Sequence, residues 1–265
     1  DARHPDQIHF AETLAEDLAQ AAWAEFQQIE SECGLVESLF AGHLQARVAE
    51  TRAALMKDIG RRKTPVTGVS EFPLLEEIAA PVADVLSPPP GDGVDPVGLT
   101  TLLPDFQADP GADTIAEPLD WISIAEPFER LRDRSEAHLE QTGARPSVFL
   151  ATLGPLAEHT ARADFARNLF AAGGIEAKAA PVTPESVAEL AAAFAASGCK
   201  IAVLCGADKR NADEAETAAS ALKDKGAAAL WLAGKQEAAG IERQIFMGCD
   251  VVHELTVALA ELGVK

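Results

Sequence analysis

The sequence predicts an α/β chain whose C-terminal half is a doubly wound, parallel five-stranded sheet, and three observations carry that prediction. From Ser147 onward, short apolar runs alternate with helical patterns five times over. The first run, Ser147–Leu153, meets a Gly154-Pro155 turn, and a helical pattern then continues to Gly173-Gly174. Each pair of runs is separated by a stretch long enough for a helical crossover, the connection that parallel strands require and that is nearly always right-handed. Strands buried on both faces read as continuous apolar runs, as the first, third and fourth of these largely do. This is a flavodoxin-like arrangement.

Taken in order, residues Gln7–Glu32 form an amphipathic helix, with Phe10, Leu14, Leu18, Ala22, Phe26 and Ile29 at steps of three and four. Cys33-Gly34 stops it. A second helix is expected from Leu35 to about Arg62, carrying Leu35, Leu39, Leu44, Val48, Leu55, Met56 and Ile59 on its apolar side. Its closing Arg61, Arg62 and Lys63 suit the negative end of the helix dipole. Thr64–Phe72 reads as one short strand. Two helices and a strand cannot close a core by themselves, and the chain starts at Asp1 without methionine, so this region is expected to be the C-terminal edge of a larger α/β unit.

Residues 73 to about 120 change character, with nine prolines from Pro73 to Pro118 set among glycines and acids. Leu99, Leu102, Leu103, Phe106 and Trp121 stud this stretch, which favours a belt lying on other surfaces over a free tether. Ile124–Gln141 returns to a helical pattern, ended by Gly143 and Pro146. Beyond it, strands are expected at Ser147–Leu153, Glu176–Ala179, Lys200–Cys205, Ala228–Ala233 and Gln244–Met247. Helices are expected at about Glu158–Ala172, Glu185–Ala196, Ala212–Lys225, Lys235–Ala239 and Asp250–Leu262.

Composition narrows the function. The 265 residues carry 42 acidic against 22 basic side chains, a formal charge of −20. Such a surface repels phosphate backbones and anionic bilayers, so neither nucleic acid nor membrane is an expected partner. Cys33, Cys199, Cys205 and Cys249 are scattered without a CxxC pair, which reads as reduced thiols in a cytoplasm. The six histidines are too dispersed for a zinc site. No G-x-G-x-x-G follows a strand, so a dinucleotide fingerprint is absent.

Three stretches resemble a known family. Arg61–Pro73, RRKTPVTGVSEFP, resembles the last barrel strand region of the adenosylcobalamin-dependent acyl-CoA mutases, methylmalonyl-CoA mutase above all. Ala15–Glu30, AEDLAQAAWAEFQQIE, is similar to the helix that precedes that region. Ala125–His138, AEPFERLRDRSEAH, resembles the helix leading into their cobalamin domain. The resemblance implies residues 1–72 as the last helices and strand of a (β/α)8 (TIM-type) barrel, 73–146 as a Pro-rich belt with one helix, and 147–265 as a cobalamin-binding-type domain. It also implies a part in interconverting methylmalonyl-CoA and succinyl-CoA, with adenosylcobalamin as the holoenzyme's cofactor.

The family's cobalamin domain carries D-x-H-x-x-G after its first strand. The histidine ligates cobalt, the aspartate orients it and the glycine admits the nucleotide tail. Here the aligned positions hold Ala157, His159 and Arg162. The contact after the third strand falls on Leu204-Cys205-Gly206, which offers no hydroxyl. The paired glycines after the fourth strand are reduced to Ala233-Gly234, and the turn after the fifth is Met247-Gly248-Cys249-Asp250. Loss at all four regions resembles the small, non-catalytic subunit of the heterodimeric mutases, which pairs with a large catalytic subunit. The expectation is therefore a cytoplasmic structural partner with no catalytic residue and no cofactor of its own.

On that reading His159 is a solvent-edge histidine in a helix that extends backward through the former binding loop and fills the nucleotide-tail groove. The alternative is a working cobalamin module with His159 as the lower axial cobalt ligand. Asp208 and Asp213, near the turn after the third strand, read as a solvated acidic helix start in preference to a metal or phosphorylation site. Cys205 and Cys249 read as structural thiols in preference to redox sensors.

Overall fold

The computed structural model describes residues 5–77, 116–119 and 122–264. The chain divides into two compact units, one holding residues 5–52 and 116–119, the other residues 53–77 and 122–264 of those described. Most of the expected Pro-rich belt, including Leu99, Leu102, Leu103, Phe106 and Trp121, lies outside the described residues.

In the first unit, α1 spans Pro5–Ser31 and α2 spans Leu35–Phe40, while α3, His43–Gly60, continues into the second unit. The single helix expected over 35–62 is thus two. Gly42 takes φ +78°, the left-handed region that glycine enters at little cost and that no helix can continue through. The apolar side of α1 is present as expected, but Phe10, Leu14, Leu18, Trp23 and Phe26 are solvent-exposed, with Trp23 and Phe26 stacked 5.2 Å apart.

The second unit holds the sheet. Helix α4 spans Glu126–Thr142. The strands are β1 (Ser147–Thr152), β2 (Glu176–Ala179), β3 (Ile201–Cys205), β4 (Ala229–Ala233) and β5 (Arg243–Ile245). The helices between and after them are α5 (Leu156–Ala172), α6 (Val187–Ser197), α7 (Asp208–Asp224) and α8 (Val251–Glu261). The strand order is β2-β1-β3-β4-β5, all parallel, which is the flavodoxin-like order.

Side-chain alternation sorts each apolar run onto two faces. Val148, Leu150, Ile201, Val203 and Trp231 turn to a face covered by α4, α5, α8 and the end of α3 through Ile59. Phe149, Ala151, Ala202, Leu204 and Leu230 turn to the face covered by α6 and α7, where Phe149 meets Phe194 edge-on at 5.7 Å. Both faces of β1, β3 and β4 are buried, which fits the scarcity of polar residues there, whereas the edge strands β2 and β5 are only partly buried.

Two expected elements do not form. Thr64–Phe72 is a set of turns, not a strand, with one isolated bridge between Thr67 and Glu71. The segment satisfies its own backbone: the amides of Val69 and Ser70 donate to Val66 O, and Ser70 Oγ accepts from Val66 N at 2.9 Å. Lys235–Ala239 has helix-forming residues but remains a loop. Gln236 O accepts from Gln244 Nε2 at 2.9 Å, and Gln236 Oε1 accepts from Asn211 Nδ2 at 3.3 Å. These tertiary bonds compete with the local propensity and win.

Candidate functional site

The place where an open α/β sheet binds ligands is the crevice at the carboxyl ends of its strands, where the chain order reverses. Here that point lies between β1 and β3, under the loops 153–155 and 206–207. The loop ends are drawn together by Leu153 N donating to Cys205 O at 2.9 Å.

Pro155 caps α5 in an extended conformation, and the helix begins at Leu156, two residues ahead of the sequence expectation. His159 lies within its first turn. The ring is 4% exposed, and Nδ1 lies 3.0 Å from Gly154 O. It is therefore a buried histidine tied to its own loop, not the solvent-edge residue expected. Ala157 and Arg162 fall on the same turn and the next.

Arg162 reaches across the sheet edge. Its Nη1 donates to Ala233 O at the end of β4, 2.7 Å away, and its Nη2 pairs with Asp208 at the start of α7. The guanidinium lies so close to Gly234 that a Cβ there would meet Nη1 at 2.8 Å. A second bridge runs parallel to the first. Arg210 donates through Nε to Glu158 Oε2 at 2.8 Å and through Nη2 to Glu158 Oε1 at 3.3 Å, with Nη1 held by Glu214 at 2.6 Å. The Arg210 hydrogen bond holds the Glu158 carboxyl below its ordinary range, against an opposing desolvation effect.

Helices α5 and α7 lie on opposite faces of the sheet, so these two ion pairs form a clasp over the carboxyl edge. On one side of the clasp is a hollow of about 770 Å³ lined by Thr152, Pro155, Thr183, Ser186 and Glu214. On the other is one of about 550 Å³ lined by Phe165, Lys235, Gln236, Phe246 and Met247. Sequence reasoning named Glu158, Arg162 and Asp208 but missed Arg210. The signal was there: a basic residue in the first turn of a helix opposes the dipole and calls for an acidic partner.

The remaining named residues are structural. Cys205 is fully buried, and burial pushes its thiol up to about 12, so it is no thiolate nucleophile. Burial also raises Cys249. Asp250 caps α8 by accepting from His253 N at 3.0 Å. Asp213 is exposed, and among the described residues no cluster of three His, Cys, Asp or Glu side chains is placed to hold a metal. Nor is any described helix long and apolar enough to cross a membrane.

Comparison with known proteins gives this arrangement a context. A sequence model described as methylmalonyl-CoA mutase matches residues 8–87. A methylmalonyl-CoA mutase small subunit from Streptomyces virginiae is 45% identical over 256 residues, which is 96% of this chain and 37% of that protein. The chain is similar to the methylmalonyl-CoA mutase family along nearly all of its length. A probable small subunit of the same mutase from Mycobacterium tuberculosis is 38% identical over 96% of this chain and 36% of its own length. The small subunit from Propionibacterium freudenreichii subsp. shermanii is 32% identical over 97% and 37%. The chain thus spans little more than a third of the length of the mutase relatives it matches.

Proposed function

We propose that the chain is part of the small subunit of an adenosylcobalamin-dependent methylmalonyl-CoA mutase, a structural partner to a large catalytic subunit that binds no cofactor itself. The whole enzyme would interconvert methylmalonyl-CoA and succinyl-CoA in the cytoplasm, and residues 1–72 would be the edge of its barrel. The observation that carries the reading is the clasp. Arg162 stands where the family motif has glycine, and its guanidinium fills the space beside Gly234 that a ligand's tail would need.

The residues present do not fit the cofactor. A lower ligand must present a ring nitrogen to the metal, yet His159 is 4% exposed and held inside a helical turn by Gly154 O. The carboxylate that would orient such a ring is Ala157. The names of the three relatives support the assignment to a mutase, and the exposed apolar side of α1 supports a chain whose surface is covered by further protein.

Titration of the protein with adenosylcobalamin, followed by visible absorption, tests this. No spectral change is expected at micromolar cofactor, in the wild type or in His159→Ala. A change present in the wild type and lost in His159→Ala would establish the opposite reading, a cobalamin module with His159 on cobalt.

A further inference from the structure

Away from the sheet edge, the turn that ends α3 holds an arginine in an unusual place. Arg62 has φ +58°, the left-handed conformation that glycine normally supplies after a helix. Its amide and that of Lys63 donate to Ile59 O and Asp58 O, 2.9 Å each, so the turn itself needs nothing from the side chain. A non-glycine residue held there costs free energy, and such outliers gather at functional positions.

The Arg62 side chain is 10% exposed. Its Nη2 contacts Glu71 at 2.6 Å and also Asn168, but its Nε is buried without a partner. The Nε of Arg61, next in the chain, is likewise buried and unpartnered. Both arginines line a cavity of about 200 Å³ together with Asn168, Phe165, Met247 and Gly248. That lining sets two guanidinium groups against one carboxylate, Glu71.

Buried N–H groups without a protein acceptor are rare, and a bound water or ion is among the ordinary reasons for them. Guanidinium groups are the side chains best matched to oxyanions. The cavity is smaller than the ~300 Å³ at which pockets for drug-sized ligands begin, so its occupant is small. Two guanidinium groups in one wall favour an anion with several charged oxygens to share between them.

We propose that this cavity, between the end of α3 and the helices α5 and α8, is a binding site for phosphate, free or as the phosphoryl group of a larger molecule, with Arg61 and Arg62 as its donors. The site is independent of the mutase reading, since it uses neither His159 nor the clasp.

The test is a titration of the full-length protein with inorganic phosphate at ionic strength held constant with chloride, followed by thermal unfolding and by phosphorus NMR line width. Phosphate at ten times its dissociation constant raises the folded-to-unfolded ratio roughly elevenfold by mass action, where chloride does not. Arg61→Gln removes the response. Asn168→Asp keeps an acceptor for Arg62 while adding a carboxylate to the cavity, so this variant folds and also loses the response. Adenosine monophosphate separates the sources: a tighter response than to phosphate assigns the site to a phosphoryl group, and an equal or weaker one to the free anion. No phosphate response in the wild type, or an undiminished one in Asn168→Asp, overturns the proposal.

Discussion

Arg162 and Glu158 show how two side chains can change the use of a loop without changing its path. Each reaches from α5 over the strand ends to a partner on α7, and the bond that Arg210 makes to Glu158 lowers that carboxyl's affinity for protons in the folded state. The sign of the pH effect follows. A folded pKa below the ordinary 4.5 means that Glu158 contributes stability above that pH and loses it as pH falls through the depressed value. Urea unfolding across pH should show Glu158→Gln less stable than the wild type at neutral pH. The two curves should converge in acid, once the carboxyl is protonated in both folded and unfolded chains. A pH-independent difference would mean that the clasp contributes through packing alone. The partners of these residues were only half legible. Ala157, His159 and Arg162 stand out in the sequence against a motif, but the burial of His159 depends on where α5 starts, and Arg210 lies 52 residues from Glu158.

At the scale of elements, the joint between α4 and α5 is a tight one. Ser135 Oγ donates to Gly173 O at 2.7 Å, and the next residue, Gly174, has φ +74°. A Cβ on Gly174 would stand 2.7 Å from Ser135 Cβ, while one on Gly198, at φ +70°, would meet nothing within 4 Å. Gly174→Ala should therefore cost about 3 kcal/mol, strain plus overpacking, and Gly198→Ala about 1 kcal/mol, strain alone. Their urea midpoints compare the two; equal shifts would show that α4 yields at this joint. Most elements could be read from the chain because apolar runs and helical periodicity are local signals. The 64–72 and 235–239 segments could not. In the first, a buried serine closes turns on itself, and in the second, bonds from Asn211 and Gln244 hold a helix-forming sequence open.

For the whole molecule, the unexpected result is that residues 53–77 belong with the sheet. Arg132 on α4, with a side chain 16% exposed, donates to Leu74 O at 2.6 Å and pairs with Glu77 at 3.7 Å. Leu55, Met56 and Val69 pack on the same core. Hydrogen exchange measures the strength of this tie. Arg132→Ala should speed exchange across residues 66–77 about tenfold, the equivalent of ~1.4 kcal/mol of local stability, with β1, β3 and β4 unchanged. Uniform acceleration throughout the unit would instead mark Arg132 as part of the global fold.

The sequence by itself determined the parallel sheet, its strand positions and the kinship to the mutases, because a strand buried on both faces needs a continuous apolar run and a motif is a local pattern. The tertiary structure alone decided that His159 is buried, that Arg162 and Arg210 clasp the carboxyl edge, and that Arg61 and Arg62 share a cavity. Those outcomes depend on side chains that meet across faces of the sheet and across tens of residues, and the spacing of residues along a chain does not record such meetings.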